Sequence, residues 1–142
     1  FETFGAPYLD AWRFCDALNA LRLPGAIFRA VTFQPTFQKF AGELCGGAFC
    51  HVTDRATFQP VLTYIAVLQT AWAQSAGAFR WNDPPYEYEY DKLPIDILAG
   101  NDWLRPAIES MTPLEQIRER CEAEVDEWSA SNPARLLYET LG

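Results

Sequence analysis

The sequence predicts an α/β protein of the α+β type: a small, mostly antiparallel sheet covered by three or four helices. Three observations carry this. Apolar residues recur at helical spacing in separate stretches, from Asp10 to Leu21, from Thr57 to Trp72 and from Thr112 to Trp128. Between the first two stand short β-branched and aromatic runs, 26–34 and 48–53, bounded by Pro, Gly and Asp. The 142 residues, 49% of them hydrophobic, amount to one domain with enough apolar side chain for a real core.

Ala11, Phe14, Cys15, Leu18 and Leu21 line one side of the first helix, and Pro24 with Gly25 stops it. Ala26 to Gln34 follows as a strand, alternating through Ile27, Arg29, Val31 and Phe33 until Pro35 ends it. Gly42, Gly46 and Gly47 then make a glycine-broken loop, with a second strand entered only at Ala48 and left at Thr53. Thr57 is placed to cap the next helix, with Pro60 in its first turn. Val61, Ile65, Leu68 and Trp72 form its predicted buried stripe before Gly77.

From Arg80 to Lys92, Pro84 and Pro85 precede Tyr86, Tyr88 and Tyr90, which alternate with Glu87 and Glu89. This predicts an extended segment with three rings on one face. Leu93 to Gly100 reads as a short helical turn closed by glycine, and Asp102 opens another through Trp103, Leu104 and Ile108. Thr112, Pro113 and Glu115 make a capping box. The helix they start presents Leu114, Ile117, Cys121, Val125 and Trp128 on a face expected to pack across the sheet. Leu136, Leu137 and Tyr138 are too few to classify but suit a docked terminal strand. The chain carries no internal repeat or low-complexity tract.

Eleven Lys and Arg against nineteen Asp and Glu give a net charge of -8, which argues against nucleic acid as a partner. No apolar run is long enough for a membrane span, and no basic segment precedes an apolar core at the start. The chain opens at Phe1 with its first element under way by Pro7, and reads as part of a longer protein. The four cysteines, Cys15, Cys45, Cys50 and Cys121, lack CxxC pairing and are expected to be free, mostly buried thiols. A Cys45–Cys50 bridge is the alternative in an exported protein.

Lys39, Glu43, Cys45 and His51 fall within the glycine-broken loop and its exit, bringing an amine, a carboxylate, a thiol and an imidazole close in sequence. Cys50 and His51 are adjacent on a predicted strand and so point to opposite faces. Cys45 and His51 can meet only if the glycines fold the loop back; the plainer reading of Cys45 is a packed turn residue. His51 is the only histidine. A histidine-rich metal site is thereby excluded, and neither metal nor cofactor is expected. Gly46-Gly47 lacks the Lys and Ser/Thr of a phosphate loop.

Glu43 suits acid–base work if enclosed by Phe40 and Leu44, and otherwise serves as an acceptor for backbone N–H groups. Trp72, Trp81, Trp103 and the tyrosines have faces that stack on sugars, although core packing is their commoner use. Asp96 reads as a cap or turn acceptor, and the acidic run 115–127 as a solvated helix face.

The ordered segments GAPYLD, FQPTFQKFAGELCGG, HVTDR, PPYEYEYDKLPID and LAGND resemble the C-terminal part of the exo-β-N-acetylmuramidase (NamZ) family, over almost the whole chain. The resemblance implies a two-part enzyme in which a preceding Rossmann-like domain, absent here, holds the principal catalytic carboxylate. The C-terminal domain then closes one side of the cleft. It further implies release of N-acetylmuramic acid from non-reducing ends of peptidoglycan fragments in cell-wall turnover and recycling. A peptidoglycan-derived sugar or muropeptide and the upstream domain are the implied partners. A periplasmic or secreted location is favoured, and the isolated chain should be inactive.

Muramic acid carries a lactyl carboxylate, for which Lys39 or Arg55 is the implied cation. Arg55 has a plainer use, pairing with Asp54 or a helix end. Glycoside cleavage uses two acidic groups, and Glu43 is the best candidate for a contribution from this domain. Lys39, Glu43, His51 and Arg55 are thus the candidate substrate-binding set. The catalytic residue of the family maps onto no position here, and Cys50 departs from the family's usual apolar residue. The rival reading is a non-catalytic glycan-binding or structural module.

Overall fold

Asp10 starts the first helix as an N-cap, its carboxylate accepting the backbone N–H of Arg13 at 2.9 Å. That helix belongs to a computed structural model of the chain, which describes residues 1–132. Leu136, Leu137 and Tyr138 lie outside the described residues. The elements are β1 (Thr3–Ala6), α1 (Ala11–Ala20), β2 (Ala26–Phe33), β3 (Cys45–Val52), α2 (Pro60–Gln74), α3 (Pro94–Ala99), α4 (Leu104–Glu109) and α5 (Leu114–Ser131). The sheet is antiparallel throughout, in the order β1-β3-β2, so the α+β expectation holds.

The expected loop through Gly46 and Gly47 is instead the first half of β3, paired with β2 from Phe33↔Cys45 to Ala26↔Val52. These glycines serve close approach rather than a turn. A Cβ on Gly47 would stand 2.0 Å from the Phe4 carbonyl oxygen, and one on Gly46 would stand 2.2 Å from that of Leu9. The strand that needs this room, β1, escaped the sequence reading because four residues including Gly5 show no periodicity.

One face of the sheet supplies Phe4, Ala6, Ala26, Phe28, Ala30, Ala48 and Cys50 to a core closed by Phe14, Cys15 and Leu18 of α1 and Ala66, Val67 and Ala71 of α2. A second core joins Ile65 of α2 to Leu104 and Ile108 of α4 and Ile117 of α5. Of the predicted stripe, Ile65, Leu68 and Trp72 pack in the second core, but α2 is buried on two sides and the stripe covers only one of them. Val61 is exposed, while Thr63, Gln69 and Thr70 are buried. Gln69 donates through Nε2 to the Thr112 carbonyl at 2.8 Å, which ties α2 to the turn before α5.

Pro60 occupies the first turn of α2 as expected, but Thr57 does not cap it; its hydroxyl donates to Asp54 Oδ2 at 2.9 Å. The last helix does not cross the sheet, because α1 and α2 already cover that face. It packs its first half on α2 and α4 and leaves Val125 and Trp128 in solvent. Its capping box is not formed: Thr112 bonds Ser110, and Glu115 pairs with Arg118.

The three tyrosines do not share an extended face. Tyr86 and Glu89 exchange both backbone hydrogen bonds at 3.0 Å around a tight turn, with Glu87 at φ 54°. Tyr88 and Tyr90 are left exposed. Gly100 closes α3 at φ 70°, as the sequence implies, while Asn101 rather than Asp102 accepts the Leu104 N–H that opens α4. Among the described residues no helix is long and apolar enough to cross a membrane.

Candidate functional site

The short helix α3 starts with Pro94 in its first turn and ends at Gly100, and a cavity opens on each side of it. The smaller, about 210 Å³, has Lys39 and Arg80 at its polar side and Phe79, Trp81, Ile95 and Leu98 as its apolar wall. Lys39 Nζ donates to the Arg80 carbonyl at 3.3 Å and to Asn82 Oδ1 at 3.1 Å, anchoring the 34–44 loop to this crevice. The Trp81 ring is held by an edge contact to Phe79, centroids 4.8 Å apart, and by Nε1 donating to Glu109 Oε1 at 2.8 Å.

The larger cavity, about 530 Å³, is lined by Glu89, Lys92, Asp96, Gly100, Asn101 and Asp102. Backbone N–H groups of Asp91 and Lys92 bond the Glu89 carboxylate and hold it below its ordinary value, so it stands ionised as an acceptor. Asp96 is neither cap nor turn acceptor. Both its oxygens take Arg105 Nε, at 3.1 and 3.3 Å, and Arg105 reaches on to Glu109 at 3.5 Å. Asp96, Arg105, Glu109 and Trp81 therefore form one chain of polar contacts from the floor of the larger cavity to the wall of the smaller.

Of the four predicted site residues, Lys39 alone lines the crevice. Glu43 is exposed on the same loop with exposed Leu44 beside it, so the apolar enclosure that acid–base use requires is missing. His51 lies toward the far end of β3, half-buried, its Nε2 accepting from Arg29 Nε at 3.4 Å. Arg55 is exposed in the turn beyond and makes no ion pair with any described residue, while Asp54 accepts the Ala56 N–H at 2.9 Å. The loop does not gather the set: Lys39 and Glu43 precede β3, and His51 and Arg55 stand at or beyond its other end.

The same strand settles the thiols. Cys45 and His51 are six positions apart along β3, roughly 20 Å at about 3.3 Å per residue, so they form no catalytic pair. Cys45 and Cys50 point to opposite faces and are too far apart to bridge; all four cysteines are free. Burial, with Glu43 adding to it, pushes the Cys45 thiol up and away from thiolate character. No three His, Cys, Asp or Glu side chains among the described residues could hold a metal ion.

The larger cavity is built within one stretch, 89–102, whereas the smaller one joins Lys39 of the 34–44 loop and Leu68 of α2 to residues 79–98. Residues 1–138 match the family described as exo-beta-N-acetylmuramidase NamZ, C-terminal. The chain belongs to this family. It is 36% identical over 139 residues to the peptidoglycan beta-N-acetylmuramidase NamZ of Bacillus subtilis (strain 168), covering 97% of this chain and 31% of that relative.

The fold is also that of a DUF1343 family protein from Bacteroides fragilis, known from a crystal structure. The TM-score is 0.75 at 22% identity, across 97% of this chain and 35% of the other. The chain thus spans about a third of the length of either protein. Within this NamZ C-terminal fold, sequence reasoning missed Arg80, Asn82, Glu89, Lys92, Asn101 and Asp102. The signal available was the density of polar residues next to Pro and Gly in 80–102, where irregular backbone is the usual carrier of recognition.

Proposed function

We propose that this domain is one wall of the glycan cleft in a peptidoglycan exo-β-N-acetylmuramidase, the principal catalytic carboxylate coming from a preceding Rossmann-like domain. The observation that carries this reading is the meeting of the Lys39 loop with the 79–102 stretch at α3, around two adjoining cavities of sugar-like dimensions. Lys39 is the cation for the lactyl carboxylate of N-acetylmuramic acid, with the fixed Trp81 ring as an apolar wall. Glu89, ionised by its backbone bonds, and Asn101 and Asp102 accept and donate to sugar hydroxyls.

Glu43, exposed on the loop that carries Lys39, serves as a solvent-facing acceptor for substrate hydroxyls rather than as the acid–base group, while His51 and Arg55, at the opposite end of β3, lie outside both cavities. The test is muramic acid release from a muropeptide by the full-length protein. Lys39→Ala is expected to lower kcat/KM about tenfold, a loss of about 1.4 kcal/mol in transition-state binding. Glu43→Gln is expected to raise KM severalfold with little change in kcat. Unchanged kinetics in both variants would leave a non-catalytic glycan-binding or structural module as the better reading.

A further inference from the structure

Antiparallel sheets that face water on one side alternate apolar inward with polar outward. This sheet breaks that rule. Its inward positions feed the core, yet the outward positions of β2 are Ile27, Arg29, Val31 and Phe33, and opposite them on β3 stand His51, Phe49 and, fully buried at the Phe33 end, Cys45. None of these side chains belongs to either core. Ile27 is 53% exposed, Arg29 is exposed, and Val31, Phe33, Phe49 and His51 are half-buried. Among the described residues the one cation on this patch is anchored: Arg29 lies 5.5 Å from the Phe49 ring centroid and donates to His51.

A contiguous apolar sheet face around one oriented guanidinium has the composition of an interface rather than of a solvated surface. Its occupant follows from the size of related proteins. The match is to a C-terminal region, and it accounts for 31% of one relative and 35% of the other, so most of each such polypeptide lies elsewhere in the chain. We infer that the outer face of the β2–β3 sheet docks the preceding domain of the same polypeptide, through an apolar surface that places a carboxylate opposite Arg29.

This docking stands apart from substrate recognition, since the patch shares no residue with either cavity beside α3. The experiment is thiol labelling of the full-length protein in a Cys121→Ser background, comparing Ile27→Cys with Asp16→Cys on the exposed side of α1. Both positions are exposed in this domain, so neither substitution disturbs its core. Position 27 should label at least tenfold more slowly than position 16, independently of protein concentration and of added muropeptide. Adding Arg29→Glu should raise labelling at position 27 severalfold.

Equal labelling at the two positions would overturn the inference. So would protection that disappears on hundredfold dilution, which would assign the face to a second copy. Protection seen only with muropeptide present would assign it to glycan and overturn it equally. Muramic acid release is not read in this experiment, so its failure is distinct from failure of the proposed cleft.

Discussion

Residues 1–74 and residues 75–111 use the backbone in opposite ways. The first region is regular: three strands and two helices, with backbones brought together at Gly5, Gly46 and Gly47 and a core of side chains such as Phe14 and Leu18 removed from water. The second holds two six-residue helices joined by turns, and both cavities beside α3 draw most of their lining from it. Stability is concentrated where elements are long and bury apolar area. The cavities, and the recognition proposed for them, sit where short elements leave polar side chains and carbonyls facing outward. What joins the two is specific: Lys39 from the first region bonds Arg80 and Asn82 in the second, and Gln69 of α2 donates to the Ala107 carbonyl at 3.5 Å.

The contrast breaks most decisively at its core. Phe14→Ala, at a position with 0% exposure, should cost about 4 kcal/mol of stability, seen as a large fall in the denaturant midpoint. A loss under about 1 kcal/mol would mean that the sheet and α1 do not carry the domain. Gly47→Ala should cost about 3 kcal/mol, because its Cβ meets a backbone oxygen that moves only if β1 separates from β3. Near-neutral behaviour would remove the close-approach argument for the strand glycines.

The second region should respond more weakly and more locally. Asp96→Asn leaves Arg105 with a weakened partner at modest exposure and should cost about 1.5 kcal/mol. Trp81 fluorescence should shift with it, since Arg105 also holds Glu109. The smallest effect is expected at Glu89, a half-buried carboxylate at the cavity edge held by backbone N–H groups. It binds its proton less readily folded than unfolded. Its contribution is therefore present above the ordinary value of 4.5 and is lost as pH falls through the depressed folded value. Glu89→Gln should lose a little stability at neutral pH and match the parent in strong acid. An equal difference at every pH would exclude the backbone-held carboxylate as its cause.

How far the fold could be read depended on whether an element has one partner or two. The helix at 11–20 announces itself because it buries a single face, so periodicity maps directly onto burial, whereas the strand at 26–33 is legible only from its β-branched and aromatic content, since both its faces carry apolar side chains. The stripe on α2 was read on one side only because that helix serves two cores, and the last helix was placed on a sheet face that α1 and α2 already occupy. The site divides in the same way. Lys39 was visible as a cation in a polar loop, whereas Glu89, Asn101 and Asp102 became site residues only when the turn at 86–89 and the cap at Gly100 set them beside one cavity.

By itself the chain of 142 residues determined the α+β class, most helix and strand positions, the exclusion of a histidine-rich metal site, and, through its ordered motifs, the family. These are properties of composition and of local order along the chain. Only the tertiary structure decided that Gly46 and Gly47 belong to a strand, that the loop candidates part to opposite ends of β3, that the cysteines stay unbridged, and that one apolar sheet face joins neither core among the described residues. The physical reason is that each of these depends on which backbone comes within a few ångströms of which other. That is fixed by packing between residues far apart in sequence, and no local pattern records it.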